Sequence, residues 1–206
     1  MYLTRLRLDP RSALARRDLA DPYEMHRTLV RPFVKDAEQV PPRILWRAEP
    51  TAAWSAPEVL VQSEHEADWG LLQQQLPGYL QSQKPWEAKV VTPEDWLQND
   101  RCYRFRLFAN PTVARDGKRQ GLVSEEAQLA WLMRQGERHG FEVEAALVTG
   151  SEVVRSRKQD SRISLLKVCF EGRLRVRDSV ALAAALRAGI GPGKAFGCGL
   201  LSLGRG

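Results

Sequence analysis

Histidine and cysteine are scarce in this chain: three of each among 206 residues. Three unclustered cysteines (Cys102, Cys169 and Cys198) exclude a complete internal disulfide set and show no zinc spacing, so a reducing cytoplasm is the expected home. No H-x-x-x-H or H-E-x-x-H occurs, and no acidic cluster has two-metal spacing, so neither a metal nor another cofactor is expected. Long apolar runs are missing too. The most nearly unbroken one, Val180 to Leu186, is far too short to span a bilayer, and the opening Met-Tyr-Leu-Thr-Arg-Leu-Arg-Leu lacks a signal-peptide apolar region.

What is present is basic charge, unevenly distributed. Residues 1–97 hold 12 Lys/Arg against 14 Asp/Glu, whereas residues 98–206 hold 19 against 11. A near-neutral half joined to a strongly basic half points to a polyanion gripped by the second. The hydrophobic fraction of 43% is enough for a real core, in one domain or two small ones.

Periodicity divides the chain into two similar halves. In the first, Tyr2–Leu8 reads as a strand with Leu3, Leu6 and Leu8 among polar partners, and 18–30 as a helix with Asp21 as an N-cap. Strands follow at 43–48 and 58–62, then a helix opened by Asp68 and a strand at 88–91. After a polar linker at 93–100, a strand is expected at 103–108. Ser124 caps a helix with Ala127, Ala130, Trp131 and Met133 on its core face. Strands at 141–148, 152–158 and 163–170 come next, the last two joined by a turn. A helix capped by Asp178 then runs to Ala188, before a final strand. Two βαββαβ-like units predict an α+β chain of tandem ferredoxin-like (RRM-like) domains, 1–92 and 100–206, with an extra basic β-hairpin in the second.

Residues 189–199, Gly-Ile-Gly-Pro-Gly-Lys-Ala-Phe-Gly-Cys-Gly, carry five of the 15 glycines. Such a loop allows positive φ and close backbone approach, and Lys194 with Gly191 and Gly193 could hold a phosphate. It is not a nucleotide-binding P-loop: Ala195 stands where the Ser or Thr is required, and the loop follows a helix instead of opening one. A tight connection is the competing explanation. Two further basic segments are candidate nucleic-acid contacts: 110–119, with Arg115, Lys118 and Arg119, and 155–162, with Arg155, Arg157, Lys158 and Arg162 around an expected hairpin turn. The tandem aromatics of sequence-reading RRM domains are missing, which favours a folded RNA stem over splayed bases.

His65, between two glutamates, and His139, at a helix end beside Gly140 where the dipole favours an imidazolium, have structural explanations. His26 differs: it follows Tyr23 by three residues, placing both rings on one helix face, and Arg27 is adjacent. The trio could hold a phosphodiester between proton acceptor, proton donor and cation. It could equally be an amphipathic helix packing an aromatic pair. RNA can be cut without a metal when its own 2′-hydroxyl attacks the adjacent phosphorus, and an imidazole with a reference pKa of about 6.5 suits both proton transfers.

Residues 18–27 (Asp-Leu-Ala-Asp-Pro-Tyr-Glu-Met-His-Arg), 106–111 (Arg-Leu-Phe-Ala-Asn-Pro), 117–119 (Gly-Lys-Arg) and the 189–199 loop together resemble the CasE family, CRISPR repeat-processing endoribonucleases of type I-E systems. The resemblance implies tandem ferredoxin-like domains that bind the repeat hairpin of precursor CRISPR RNA. It also implies metal-independent cleavage at the 3′ base of the stem, giving a 5′-hydroxyl and a 2′,3′-cyclic or 3′-phosphate. His26 would then be a general acid or a shared acid-base group, and Tyr23 would orient or deprotonate the 2′-hydroxyl. The 155–158 segment would contact the stem, the glycine loop would hold the backbone, and the product would stay within Cascade. The competing expectation is a non-catalytic RNA-hairpin-binding subunit of a ribonucleoprotein. A nucleotide-dependent enzyme is opposed by Ala195 and the loop order.

Overall fold

The computed structural model describes residues 1–34, 39–50, 55–115, 117–158 and 161–205, with the side chains of 157, 158, 161 and 162 outside the description. The chain divides into two compact units. One comprises 1–91 together with 156–160 and 195–197, and the other comprises 92–155, 161–194 and 198–206. Both are α+β, consistent with the expected ferredoxin-like pair.

The first unit is built on a four-stranded antiparallel sheet of β1 (Tyr2–Arg7), β2 (Ile44–Ala48), β3 (Glu58–Ser63) and β4 (Trp86–Val90), in the order β2-β3-β1-β4. Period-two alternation decides what is buried. Thr4, Leu6 and Leu8 face the core, while Leu3, of opposite parity, is only half-buried. Val59 and Val61 join Leu6 and Leu8 under Met25, Leu29, Trp69 and Leu72 from the helices.

The helix expected over 18–30 is two helices, α1 (Ala13–Ala20) and α2 (Pro22–Val30). Asp21 is extended between them (φ −127°, ψ 103°) because the residue before a proline is driven out of the α region and Pro22 has no N–H to continue the ladder. α3 (Trp69–Gln75) is capped by Asp68 as expected, its carboxylate accepting from the Leu71 N–H at 3.0 Å.

The second unit repeats the arrangement. Its sheet has β5 (Cys102–Ala109), β8 (Phe141–Lys158, whose end from Ser156 belongs to the first unit), β9 (Ser161–Val176) and β10 (Leu201–Arg205), in the order β10-β5-β9-β8. Tyr103, Phe105, Leu107, Phe170 and Leu174 face α4 (Glu125–His139) and α5 (Ser179–Ala188) across a shared core. Three expectations are corrected here. The segments 141–148 and 152–158 form one strand, because cross-strand pairing overrides the turn chemistry of Thr149-Gly-Ser. The loop at 110–119 is largely a hairpin, β6 (Thr112–Arg115) with β7 (Lys118–Gly121), and Gly117 takes the positive φ its turn needs. On α4 the buried positions are Gln128, Trp131, Leu132, Gln135 and Gly136, whereas Met133 is exposed. Gln128 tolerates burial by donating to the Leu122 carbonyl at 2.8 Å.

Among the described residues, one carboxylate is buried in the first unit. The Asp18 carboxylate, 1% exposed, takes two bonds from Arg17 and a third from the Tyr79 hydroxyl at 2.9 Å. Burial, then the neighbouring Asp18 charge, raise the Tyr79 hydroxyl above its ordinary pKa, so it remains a donor. Tyr79→Phe withdraws that donor from a buried carboxylate and should cost about 1–3 kcal/mol by urea denaturation.

Candidate active site

α2 owes its position to Asp21. The Asp21 side chain accepts from the Tyr23 N–H at 2.9 Å, Pro22 occupies the first turn where its missing N–H costs nothing, and Glu24 complements the dipole. Met25, Thr28 and Leu29 turn inward. That rotation leaves Tyr23 and His26, three residues apart, half-buried at the edge of the inward face, and Arg27 exposed. The Arg27 guanidinium stands 5.8 Å from the Tyr23 ring centroid and donates to Glu24 at 3.0 Å, so the cation is held over the phenol.

Among the described residues, His26 Nδ1 is buried without a hydrogen-bond partner. Burial lowers the His26 pKa from its ordinary value, so the imidazole is predominantly neutral at pH 7 and ready to accept a proton. A phosphodiester brought beside it would oppose that shift, because a negative charge favours the imidazolium. A half-buried neutral imidazole, a phenol and a guanidinium in two turns of one helix are groups suited to managing protons at a phosphate.

The other histidines behave differently. His139 ends α4 ahead of left-handed Gly140, and the expected dipole stabilisation is outweighed: burial, Arg138 and Lys194 lower its pKa. His65 lies exposed in the bend after β3. Among the described residues no three His, Cys, Asp or Glu side chains converge as metal ligands.

Arg115, Lys118 and Arg119 are exposed on the β6–β7 hairpin, with Arg115 directly opposite Lys118. Like charges in that position repel, and no carboxylate among the described residues pairs with them. An anionic partner would relieve the repulsion. Arg155 is exposed on β8, while the side chains of Arg157, Lys158 and Arg162 lie outside the described residues.

In the glycine loop, Gly189, Gly191, Gly193, Gly197 and Gly199 all have positive φ. Close packing adds to the demand: a Cβ on Gly191 would sit 2.9 Å from the Trp131 ring. The loop is stitched to the end of β5 by Gly199 N–H donating to the Phe108 carbonyl at 2.7 Å. The tight-connection explanation therefore accounts for the glycines themselves. Lys194, half-buried, opens the short 3-10 turn Lys194–Phe196.

Sequence reasoning missed a bond at the head of α2. Ser156 donates to Asp21 at 2.6 Å, and no local pattern links residues 135 positions apart.

The chain belongs to the family described as CRISPR associated protein, whose model matches residues 1–205. Within it, the chain is 42% identical over 220 residues to the CRISPR-associated endoribonuclease Cse3 of Thermus thermophilus, covering 98% of this chain and 99% of that relative. It superposes with a TM-score of 0.87, at 39% identity and 98% coverage of both chains, on Thermus thermophilus Cse3 bound to an RNA representing a pre-cleavage complex. The CRISPR-associated protein Cas6e of Escherichia coli K-12 matches with a TM-score of 0.71 at 27% identity, over the whole of both chains.

His26 should titrate by NMR with a midpoint below the unfolded-chain value of about 6.5. Because the folded pKa is the lower one, the unfolded state binds the proton first. Stability from the neutral imidazole is thus complete above about pH 6.5 and is lost as pH falls through the folded value. His26→Gln should flatten that part of the stability–pH curve, measured by denaturation between pH 7.5 and 5.

Proposed function

We propose that this protein is a metal-independent endoribonuclease that binds the repeat stem-loop of precursor CRISPR RNA and cuts at the 3′ base of the stem. The observation that carries the reading is the half-buried His26 three residues from Tyr23 on α2, in a chain 42% identical to an endoribonuclease over nearly its full length. The ribose 2′-oxygen attacks the adjacent phosphorus while the P–O5′ bond breaks. As a group shared by both transfers, the neutral His26 imidazole takes the 2′-hydroxyl proton and the imidazolium so formed gives it to the departing 5′-oxygen; as general acid alone, His26 would enter the reaction already protonated beside the bound phosphodiester, with water taking the 2′-hydroxyl proton. Tyr23 orients the attacking hydroxyl, since a phenol with a reference pKa of about 10 is a poor base at neutral pH. Arg27 offers charge to the phosphorane. The products are a 5′-hydroxyl and a 2′,3′-cyclic or 3′-phosphate.

The two four-stranded sheets, each ordered with the last strand beside the first, support two ferredoxin-like domains, 1–92 with the catalytic helix and 100–206 with the basic hairpin and glycine loop. Arg155, Arg157, Lys158 and Arg162 grip the stem. Arg115, Lys118 and Arg119 supply a second grip, relieving the charge repulsion across β6–β7. Gly191, Gly193 and Lys194 present backbone and cation to the RNA. Similarity to a chain of a CRISPR RNA-guided surveillance complex, at 27% identity, supports retention of the product within Cascade. Cysteine usage favours a cytoplasmic home; no helix among the described residues is long and apolar enough to cross a membrane.

The test is incubation with a labelled repeat hairpin in EDTA, beside a copy carrying one 2′-deoxy sugar immediately upstream of the cut. Cleavage should persist in chelator and vanish with the deoxy sugar. His26→Ala should slow single-turnover cleavage by about 10²–10⁴ while hairpin affinity stays near wild type. A protein that binds but does not cut under every condition, wild type included, would favour the non-catalytic subunit.

For the grip, Arg157→Ala with Lys158→Ala should weaken hairpin binding. Its slope of log affinity against log salt should fall by about 0.7–0.9 for each phosphate the pair no longer neutralises. An unchanged slope removes this segment from the interface.

A further inference from the structure

One oxygen of Asp21 is used twice. Its Oδ1 accepts the Tyr23 N–H at 2.9 Å and the Ser156 hydroxyl at 2.6 Å. Ser156 comes from β8, is 9% exposed, and directly follows the exposed Arg155. The strand carrying the basic segment is therefore fastened by one buried hydroxyl to the residue that starts α2.

Neither end of this bond is explained by its local role. The cap on α2 is already made by the Tyr23 N–H and does not need a second donor. In a strand, serine is a poorer choice than valine or threonine. Once buried, its hydroxyl must find a partner, and a carboxylate gives it a short, charge-assisted one. What the bond adds is a connection between a nucleic-acid-binding strand and the first turn of the helix that carries Tyr23 and His26.

We propose that Ser156 is a positioning residue for RNA cleavage, transmitting occupation of the basic strand to the orientation of Tyr23 and His26 through Asp21. The inference rests on the reading of the chain as an RNA-cleaving enzyme. Phosphates bound along Arg155 and its neighbours hold β8 in one place. The Ser156–Asp21 bond then holds the start of α2, and with it the side chains that must meet the 2′-hydroxyl and the leaving oxygen. Ser156 touches neither, so its removal acts on alignment. A displacement of about 1 Å among reacting groups costs on the order of 10²-fold in rate.

The experiment compares wild type, Ser156→Ala and Ser156→Thr by three measurements. Single-turnover cleavage of a repeat hairpin is followed at saturating protein, and affinity is measured with an uncleavable 2′-deoxy hairpin. Amide exchange at residues 23–26 is recorded with and without that uncleavable hairpin. Ser156→Ala should cut roughly tenfold more slowly, at an affinity within twofold of wild type. Ser156→Thr, which keeps the hydroxyl, should restore the rate to within about threefold. Hairpin binding should slow exchange at 23–26 in wild type and in the threonine variant, but not in the alanine variant. Wild-type cleavage and hairpin-dependent protection in Ser156→Ala would overturn the coupling while leaving the enzyme reading intact. So would a slower Ser156→Ala that threonine fails to rescue and that has also become less thermally stable. A wild-type protein that binds without cutting would overturn the enzyme reading, and equal protection of 23–26 in all three proteins would then overturn the coupling separately.

Discussion

A right-handed helix cannot pass unaltered through an Asp-Pro step, and the Asp21-Pro22 step fixes where the candidate site begins. Proline withholds the N–H that α1 would need to continue, and it pushes Asp21 into an extended conformation. The same proline is well suited to the first turn of a new helix, and the displaced Asp21 side chain is free to cap it. The break sets the rotation of α2. Met25 and Leu29 lock into the core, and the positions left at the rim belong to Tyr23 and His26. Partial burial of the imidazole then lowers its pKa.

The glycine loop shows how one sequence feature can satisfy two demands. Positive φ at five glycines and the closeness of Trp131 are enough to require glycine on packing grounds. That requirement leaves the backbone bare and positions Lys194 on a short turn. A phosphate-facing role and a structural role are therefore not rivals here. The structural one explains the glycines, and the functional one concerns the lysine and the amides between them.

Much of this architecture is legible from residue types because the relevant signals are local. Asp68, Ser124 and Asp178 cap the helices they were expected to cap, through side-chain bonds to amides two or three residues ahead. The pairing of Tyr23 with His26 follows from helical spacing alone. Where long-range pairing decides, the reading fails. Thr149-Gly-Ser has turn chemistry, yet β9 holds it as mid-strand, and Gly172 lets the β8 backbone approach so closely that a Cβ would lie 2.0 Å from the Ala145 carbonyl. The β6–β7 hairpin had a usable signal in Asp116-Gly117, overshadowed by the surrounding charge. Met133 and Leu132 exchange places on α4 because a helix's inward stripe is fixed by its neighbours as well as by its own period. Ser156 had no signal at all, since its partner is across the chain.

The three thiols differ sharply in chemical accessibility. Cys198, fully buried within the glycine loop, has its pKa pushed up to about 12 by burial, so almost none of it is thiolate at neutral pH. Cys169 is also buried, whereas Cys102 is partly exposed at the start of β5 with its sulfur against Glu144. An electrophile selective for thiols thus finds one reachable cysteine in the folded protein, on the sheet of the second unit. Nature has left a single natural attachment point for a fluorophore or spin label, far along the sequence from the helix that carries His26.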